Sequence, residues 1–361
     1  MNLRIPGPTP CPDQVLKAMG KQMINHRGKE FRSILEQVTQ RLKIVYQTTG
    51  DVFVLTCSGT GGMEAAIVNT LSPGDGILAT TSGAFGNRFA EIGEAFGGRV
   101  QRLQFEWGKP VEAEAVKKAL EDDPSIKAVL VTHNETSTGV TNDVKAISAV
   151  AKKAGKLLLV DAISSLGSID LQTDNWKCDV VVTCSQKGLM SPPGLAAVSF
   201  SEQAWQAQKT AKMPRYNWDF AKARSFQQKG ETPWTPAVSA VYAVNAALEM
   251  IIQEGLPRIF QRQARISRMV REGVKSLGLE LFGDEKCPSD IITAVKATNG
   301  LDPKKLLNVM EDKYDVILAG GQQKLDGKIF RIGHLGWVSE KEIENVLASL
   351  KKALPEAGFN K

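Results

Sequence analysis

The sequence predicts an α/β protein with a large domain, built on a mainly parallel sheet of seven strands, and a smaller C-terminal α/β domain. Seven short apolar runs rich in Val, Ile and Leu alternate with amphipathic stretches between residues 51 and 200. The chain has 361 residues, 42% of them hydrophobic and 23% charged, which is enough for two cores. The predicted strands are residues 52–56, 77–81, 100–105, 128–132, 157–161, 179–183 and 196–200.

Helical patterns separate several of these strands, as a parallel sheet covered on both faces requires. The intervening helices are predicted at residues 63–71, 88–96, 111–120 and 143–154. The segment 203–235, rich in Gln, Lys, Trp and Pro, predicts irregular structure.

The smaller domain is predicted from a second alternation of helices and strands. A long helix at residues 237–252 precedes it, and the boundary lies near residue 255. A second long helix at residues 256–277 comes before its strands. Its predicted strands are residues 279–282, 293–296, 316–318 and 328–332. The resulting division is an N-terminal arm (1–20), a large domain (21–255) and a small domain (256–361).

The charge and cysteine patterns argue against several functional classes. The 45 basic and 39 acidic residues include no run of five like charges, so neither nucleic acid nor a membrane is a predicted partner. No apolar stretch predicts a membrane span or a signal peptide, which predicts a cytoplasmic protein. The five cysteines are scattered without a C-x-x-C pair, and the three histidines lie far apart. We therefore predict no metal site, iron–sulfur cluster or disulfide framework.

A glycine-rich turn, CSGTGG at residues 57–62, joins a predicted strand to a predicted helix. Glycines let backbone N–H groups approach an anion, and a helix N-terminus adds positive potential. The hydroxyl of Thr60 is a further donor. The turn lacks the lysine of a P-loop and the spacing of a dinucleotide-binding turn. It predicts a phosphate site, although a tight turn that needs glycine explains it equally well.

Two ionisable residues follow strands of the predicted sheet, where ligands bind in folds of this kind. Asp161 ends the run LLLVD, and a buried carboxylate needs a cationic partner such as a pyridinium nitrogen. Lys187 follows the next strand, in SQKGLMSPPG, where small neighbours favour a lowered pKa and imine chemistry. Alone, Asp161 is more readily explained as a helix N-cap and Lys187 as a surface lysine. Together with the glycine-rich turn, they are more specific for a bound cofactor.

Arg331 lies in the apolar segment IFRIGHLG of the small domain. An arginine in such a strand requires an anionic partner, and its planar guanidinium suits the α-carboxylate of an amino acid. An intramolecular salt bridge is an equally good explanation of the sequence.

Five segments in this order resemble the class V aminotransferase family of fold-type I pyridoxal-phosphate (PLP) enzymes: SGTGG, HNETSTG, LLVDAISSLG, SQKGLMSPPG and RIGHLG. The resemblance is to the alanine-glyoxylate and serine-glyoxylate (serine-pyruvate) group and runs from PGPTP to Arg331. It implies transfer of an amino group from alanine or serine to glyoxylate or pyruvate by a ping-pong mechanism, in a homodimer with active sites at the interface.

The resemblance also implies which residues bind the cofactor. Lys187 corresponds to the Schiff-base lysine and Asp161 to the partner of the pyridine nitrogen. Phe85 and Ile163 correspond to the residues on the two faces of the ring, and Thr136 to a residue near the phenolic oxygen. The residues that correspond to phosphate ligands are Thr60, Gly61, Gly62 and Gln186.

Substrate and subunit contacts are implied in the same way. Arg331 corresponds to the residue that binds the substrate carboxylate, and Gly7 to backbone that lines the substrate pocket. Thr235 resembles a residue that reaches the phosphate of the partner's cofactor, and residues 25–31 resemble a segment near the dimer interface. Family members often have tryptophan or tyrosine at the position of Phe85, and glycine at that of Asn134, so substrate preference stays open.

Three other functions compete with this interpretation. A cysteine desulfurase or related lyase needs a thiol ahead of the C-terminal arginine strand, and residues 317–330 contain none. Phosphoserine aminotransferase needs additional basic and histidine contacts for the substrate phosphate, which the sequence does not reveal. A redox or hydrogenase subunit would need clustered cysteine ligands.

Overall fold

The computed structural model describes residues 1–360, and a seven-stranded sheet lies at its centre. The strands are β1 (Asn2–Leu3), β2 (Asp51–Leu55), β3 (Gly76–Thr81), β4 (Arg99–Gln104), β5 (Ile126–Thr132), β6 (Asn134–Glu135), β7 (Val140–Thr141), β8 (Leu157–Asp161), β9 (Val180–Cys184), β10 (Ala196–Phe200), β11 (Ile292–Lys296), β12 (Val316–Ile317), β13 (Ala319–Gly320) and β14 (Ile329–Gly333).

Helices cover both faces of the sheet and form most of the C-terminal third. They are α1 (Asp13–Met19), α2 (Lys29–Tyr46), α3 (Gly59–Val68), α4 (Ala84–Ala95), α5 (Ala113–Asp122), α6 (Val144–Lys153), α7 (Glu202–Gln208), α8 (Phe220–Gln227), α9 (Val238–Glu254), α10 (Leu256–Ser276), α11 (Pro303–Tyr314) and α12 (Glu340–Glu356). A 3₁₀ turn spans Gln323–Leu325.

The order of strands in the large sheet is β2-β10-β9-β8-β5-β3-β4. Neighbours from β9 to β4 run parallel, whereas β10 runs antiparallel to both β9 and β2. Thus β10 is the one reversed strand of this sheet. The seven strands predicted from sequence are these seven, and the predicted α/β class with a mainly parallel sheet is confirmed.

Alternate residues of the central strands face two different cores. Val129 and Val131 of β5 pack in the core that includes residues of α2, α5, α6 and α9. Ala128 and Leu130 face the opposite core, with residues of α3 and α4. Because helices cover both faces, β5, β8 and β9 are apolar along nearly their whole length.

Helix α3 lies close to the sheet because a glycine faces it. A Cβ atom on Gly62 would lie 2.7 Å from Cγ1 of Val182 and 3.1 Å from Cβ of Ala196. Any larger residue would push the helix outward, and the glycine-rich turn at its N-terminus would move with it.

The C-terminal part has its own core and a three-stranded antiparallel sheet in the order β11-β14-β13. The predicted strand at 279–282 is absent, and only an isolated bridge joins Leu281 to Val295. The segment predicted at 316–318 forms β12, which pairs with β1 of the arm rather than with this sheet. Gly255, at a φ of +83°, separates α9 from α10, and the domain boundary there stays a prediction.

The prediction of irregular structure for residues 203–235 is wrong in part, because α7 and α8 lie there. Both helices begin at capping residues that the composition of the segment concealed. Ser201 accepts a hydrogen bond from the N–H of Ala204, and Asp219 accepts one from the N–H of Lys222.

The N-terminal arm connects the C-terminal part to the edge of the large sheet. Arg4 is 1% exposed and forms an ion pair with Glu342 at 2.5 Å, while its carbonyl oxygen accepts a hydrogen bond of 2.6 Å from Gly333. Farther along, the N–H of Thr9 donates to the carbonyl of Gln186 at 3.1 Å. Within residues 1–360, no helix is long and apolar enough to cross a membrane.

The first testable prediction concerns the docking of this arm. A Cβ on Gly333 would collide with the carbonyl oxygen of Ile5, and neither backbone can yield easily. We expect Gly333→Ala to lower the free energy of unfolding by about 1–3 kcal/mol. It should also expose residues 1–12 to protease, as measured by chemical denaturation and limited proteolysis. Gly20→Ala is the control, because a Cβ there meets only ordinary contacts. Equal stability and protection of Gly333→Ala and the wild type would contradict this account.

Candidate active site

A cavity of about 290 Å³ opens at the carboxyl edge of the large sheet. The strands β5, β8 and β9 end there, followed by Asn134, Ile163 and Lys187. This is the position at which open α/β sheets bind ligands. The residues that line the cavity are Ser58, Gly59, Thr60, Phe85, Arg88, Asn134, Thr136, Asp161, Ile163, Ser164, Gln186, Lys187 and Gln322.

The N-terminus of α3 presents free backbone donors at this cavity. The first N–H of the helix with a helical acceptor is that of Gly62, which donates to Ser58 at 3.2 Å. Within the described residues, the N–H groups of Gly59, Thr60 and Gly61 have no acceptor. A helix N-terminus with unpaired N–H groups favours an anion. Of the three predicted phosphate ligands in this turn, Thr60 lines the cavity, whereas Gly61 and Gly62 face Cys57 and Val182.

Lys187 is held between the arm and the sheet. Its Nζ donates to the carbonyl oxygen of Pro6 at 2.5 Å, and a Cβ on Gly7 would lie 2.6 Å from the same nitrogen. The structure therefore places Gly7 against Lys187, and only glycine leaves room for the lysine. Burial lowers the pKa of Lys187, because a charged ammonium is poorly solvated there.

Asp161 is 3% exposed and ends strand β8 at the floor of the cavity. Its Oδ1 accepts a hydrogen bond from the N–H of Ile163 at 2.9 Å, and in residues 1–360 its Oδ2 has no hydrogen-bond donor. Burial raises the pKa of Asp161 to about 7, while the charges of Arg88 and Lys187 oppose this shift. A cationic ligand at Oδ2 would relieve the cost of the buried charge.

Phe85 and Arg88 lie on the first turns of α4 and line the same cavity as Asp161. The guanidinium of Arg88 lies 4.9 Å from the centre of the Phe85 ring, within cation–π distance. Phe85 was a predicted site residue, whereas Arg88 was not. The signal was available, because residues three apart on a helix share a face.

Arg331 is not among the residues that line the cavity, but it is hydrogen-bonded to two that are, Thr136 and Gln322. All three of its acceptors are neutral. Its Nε donates to the carbonyl of Gly320 at 2.8 Å, and its Nη1 donates to the carbonyl of Thr136 at 3.0 Å and to Oε1 of Gln322 at 3.1 Å. Within residues 1–360 the guanidinium has no ion-pair partner, and Nη2 has no acceptor. Burial lowers the pKa of Arg331 to about 10. The arrangement favours an external anion over the intramolecular salt bridge that the sequence left open.

Two predicted residues have different positions. Gln186 lines the cavity, whereas Thr235 is exposed and lines a separate hollow that includes Trp218 and Trp234. Thr235 is therefore not part of the site within the same subunit.

Glu135 is a fully buried carboxylate beside Thr136 and was not predicted as a site residue. It accepts hydrogen bonds from the N–H groups of Phe85 and Gly86 at 3.1 and 3.0 Å. Its position inside HNETSTG was visible in the sequence, but its contacts cross from β6 to α4 and no local pattern reveals them.

The buried histidines are hydrogen-bonded within the fold. His133 contacts the hydroxyl of Ser165 at 2.9 Å and His334 that of Thr293 at 2.9 Å, and burial lowers their pKa values to about 4 and about 3. Among residues 1–360, no three His, Cys, Asp or Glu side chains cluster as a metal site.

The second prediction uses the raised pKa of Asp161. Its folded pKa of about 7 exceeds the ordinary value of 3.8, so the folded protein binds an extra proton between these pH values. The contribution of Asp161 to stability is then present below about pH 4 and is lost as the pH rises towards 7. We expect the ligand-free protein to lose up to a few kcal/mol over this range relative to Asp161→Asn. Denaturant unfolding of both proteins at several pH values tests this, and parallel pH profiles would contradict it.

Comparison with known proteins agrees with this geometry. The family model for aminotransferase class V matches residues 1–332. The soluble hydrogenase 42 kDa subunit of Anabaena cylindrica is 46% identical over 359 residues, which cover 99% of this chain and 94% of that protein. The L-aspartate–glyoxylate aminotransferase of Paracoccus denitrificans is 38% identical, over 98% of this chain and 91% of its own length.

Among solved structures, alanine–glyoxylate aminotransferase from Nostoc sp. superposes with a TM-score of 0.94. The two are 28% identical, and the match covers 98% of this chain and 94% of the other. The family match extends from the arm through Lys187 to Arg331. The chain belongs to the aminotransferase class V family.

Proposed function

We propose that this protein is a PLP-dependent aminotransferase that moves an amino group from a small amino acid, such as alanine or serine, to a small 2-oxo acid, glyoxylate or pyruvate, by a ping-pong mechanism. The observation that carries the proposal is a half-buried amine and a buried carboxylate, Lys187 and Asp161, in one cavity beside free helix N–H groups. The names of two relatives support glyoxylate as the acceptor, and one of them adds aspartate as a donor to be tested.

The described residues fit PLP by three independent features. The unpaired N–H groups of Gly59, Thr60 and Gly61, with the hydroxyl of Thr60, suit the phosphate. Oδ2 of Asp161 is free to accept a hydrogen bond from a protonated pyridine nitrogen.

The third feature concerns the ring and its attachment. Phe85 and Ile163 line the cavity as apolar groups for the two ring faces, with Thr136 near the ring edge. Nζ of Lys187 is the amine to which the aldehyde would be attached, and Gln186 adds a polar group beside it.

The residues of the chain have distinct chemical tasks. Bound PLP supplies an electron-withdrawing ring that stabilises negative charge next to the amino nitrogen of the substrate. The lowered pKa of Lys187 favours a neutral Nζ, which can accept a proton from the substrate carbon and return it. Arg331 binds the substrate carboxylate through Nη2, while its hydrogen bonds to Gly320, Thr136 and Gln322 fix its orientation.

We also propose a homodimer. Thr235 is exposed on its own subunit and is not among the residues that line the cavity, which suits the expected contact with the phosphate of a partner. A cytoplasmic location, without nucleic-acid or membrane partners, is part of the same proposal.

The third prediction tests attachment of the cofactor. With PLP added, the wild type should gain visible absorbance, and borohydride reduction should fix the label to the peptide that contains residues 185–190. Lys187→Ala should lose the covalent label, while Lys209→Ala, which removes an exposed lysine just after α7, should retain it. A wild type without cofactor absorbance, or with the label on another lysine, would refute the proposed role of Lys187.

The fourth prediction tests Arg331. Lysine keeps the positive charge but cannot make the three hydrogen bonds that orient the guanidinium while also presenting a donor to the substrate. Arg331→Lys should therefore weaken the apparent affinity for donor amino acid and acceptor oxo acid together, by about 1.5–3 kcal/mol each. Half-reactions followed by cofactor absorbance give both affinities, with alanine, serine or aspartate as donor. Arg262→Lys is a matched control, because that guanidinium pairs with Glu254 away from the cavity. Unchanged affinities for both substrates in Arg331→Lys, or equal turnover of amines that lack a carboxylate, would contradict the assignment.

A further inference from the structure

We propose that Glu135 is a positioning residue that fixes both Phe85 and Arg331 in the active site. Its carboxylate accepts hydrogen bonds from the first turn of α4, which carries Phe85, and the next residue, Thr136, accepts a hydrogen bond from the guanidinium of Arg331 through its carbonyl oxygen. The inference rests on the proposed function, because these two positions affect turnover only if a cofactor and a substrate carboxylate bind there.

Helix α4 lacks a capping side chain of its own. Its N-cap residue is Gly83, so the first N–H groups of the helix need acceptors from elsewhere. The N–H of Ala84 donates to Oγ of Ser137 at 2.9 Å. The N–H groups of Phe85 and Gly86 donate to Oε2 of Glu135 at 3.1 and 3.0 Å. The helix that carries Phe85 at the cavity is thus capped by the side chains of Glu135 and Ser137.

Every hydrogen bond of the Glu135 side chain is one that it accepts. Besides the helix N–H groups, the hydroxyl of Ser137 donates to Oε1 at 2.5 Å and the N–H of Ser137 donates to Oε1 at 3.2 Å. Burial raises the pKa of Glu135, and these hydrogen bonds oppose the rise. A carboxylate that only accepts, at a positive helix N-terminus, is arranged for its charged form.

The turn before α4 is shaped around this carboxylate. A Cβ on Gly83 would collide with Cγ and Cδ of Glu135 and would lie 2.5 Å from Oγ of Ser137. The glutamate side chain therefore occupies the space beside Gly83. This close packing fixes where α4 begins, and with it the direction of the Phe85 side chain.

The same segment holds the substrate arginine from the other side. The carbonyl oxygen of Thr136, the residue after Glu135, accepts the hydrogen bond of 3.0 Å from Nη1 of Arg331. The negative charge of Glu135 also opposes the fall in the pKa of Arg331 that burial causes. Glu135 thus stabilises both the position and the charge of the group assigned to the substrate carboxylate.

The test compares Glu135→Gln with a capping variant elsewhere. Asp302 caps α11 by accepting from the N–H groups of Lys304 and Lys305 at 2.9 and 3.1 Å, so Asp302→Asn also replaces a carboxylate that accepts two helix N–H groups. Both variants are prepared with PLP. The readouts are thermal stability, the visible circular dichroism of bound PLP, and kcat and KM for donor and acceptor separately.

The two variants should differ at the active site. In Glu135→Gln we expect a changed dichroism band, because the ring contact with Phe85 shifts. We also expect KM for both substrates to rise at least roughly tenfold, the scale of one hydrogen bond to a charged group. Asp302→Asn should lower thermal stability without either change. Glu135→Asp restores the charge near Arg331 but not the reach to α4, so it should recover KM more than the dichroism.

A merely structural Glu135 gives a different result. If Glu135→Gln lowers thermal stability but keeps the dichroism and both KM values of the wild type, the proposal is wrong. If Glu135→Gln does not fold, Ser137→Ala and Glu135→Asp take its place. Wild-type dichroism and wild-type KM values in both of these variants would then overturn the proposal. A wild type that neither binds PLP nor transaminates would instead refute the proposed function.

Discussion

The structure depends on burying charged groups at one edge of the sheet without pairing them to one another. Lys187, Asp161, Glu135 and Arg331 all lie there, and none forms an ion pair within the described residues. Each is instead held by backbone groups, and burial shifts the pKa of each towards its neutral form. Such an arrangement is costly in an isolated fold and is lowered in energy by a charged ligand.

The N-terminal arm contacts both Lys187 and the strand that carries Arg331. Its Arg4 carbonyl accepts from Gly333 at the end of β14, the strand of Arg331, and its Pro6 carbonyl accepts from Lys187. Since β1 also pairs with β12, the arm is fixed on the C-terminal part before it reaches the lysine. Movement of that part would therefore be transmitted to Lys187, which Pro6 and Gly7 contact.

Most of the large sheet and the residues at the centre of the site could be predicted from the sequence, for physical reasons. Central strands buried on both faces are continuous apolar runs, and their carboxyl ends gave the positions of Asp161 and Lys187 directly. The contacts that were missed are non-local. Glu135 caps a helix that lies 40 to 50 residues earlier in the chain, and no periodic pattern encodes such a contact.

Outside the large sheet, some helices were not predicted because the amino-acid composition of their segments was considered before their capping residues. Asp219 caps α8 inside a segment whose Gln, Lys and Trp content suggested irregular structure. Helix α11 begins at Asp302-Pro303, and α12 begins at the capping box of Ser339 with Glu342. Composition alone predicts neither helix. The β12 segment looks like a strand of the small sheet, but its partner is the arm, and sequence alone does not select between two edges.

The geometry separates what both substrates share from what distinguishes them. In a ping-pong reaction, donor and acceptor occupy the same site in turn, and both carry a carboxylate beside the reacting carbon. Arg331 has one free terminal nitrogen, fixed by three hydrogen bonds, so it can recognise that shared group without reading the rest of the molecule. In the proposed reaction, discrimination among donors would then depend on polar residues of the lining such as Arg88, Asn134 and Gln322. A donor with a neutral side chain gains little from the charge of Arg88, whereas a donor with a second carboxylate gains an ionic contact. The donor preference therefore depends on which of these side chains the cavity admits.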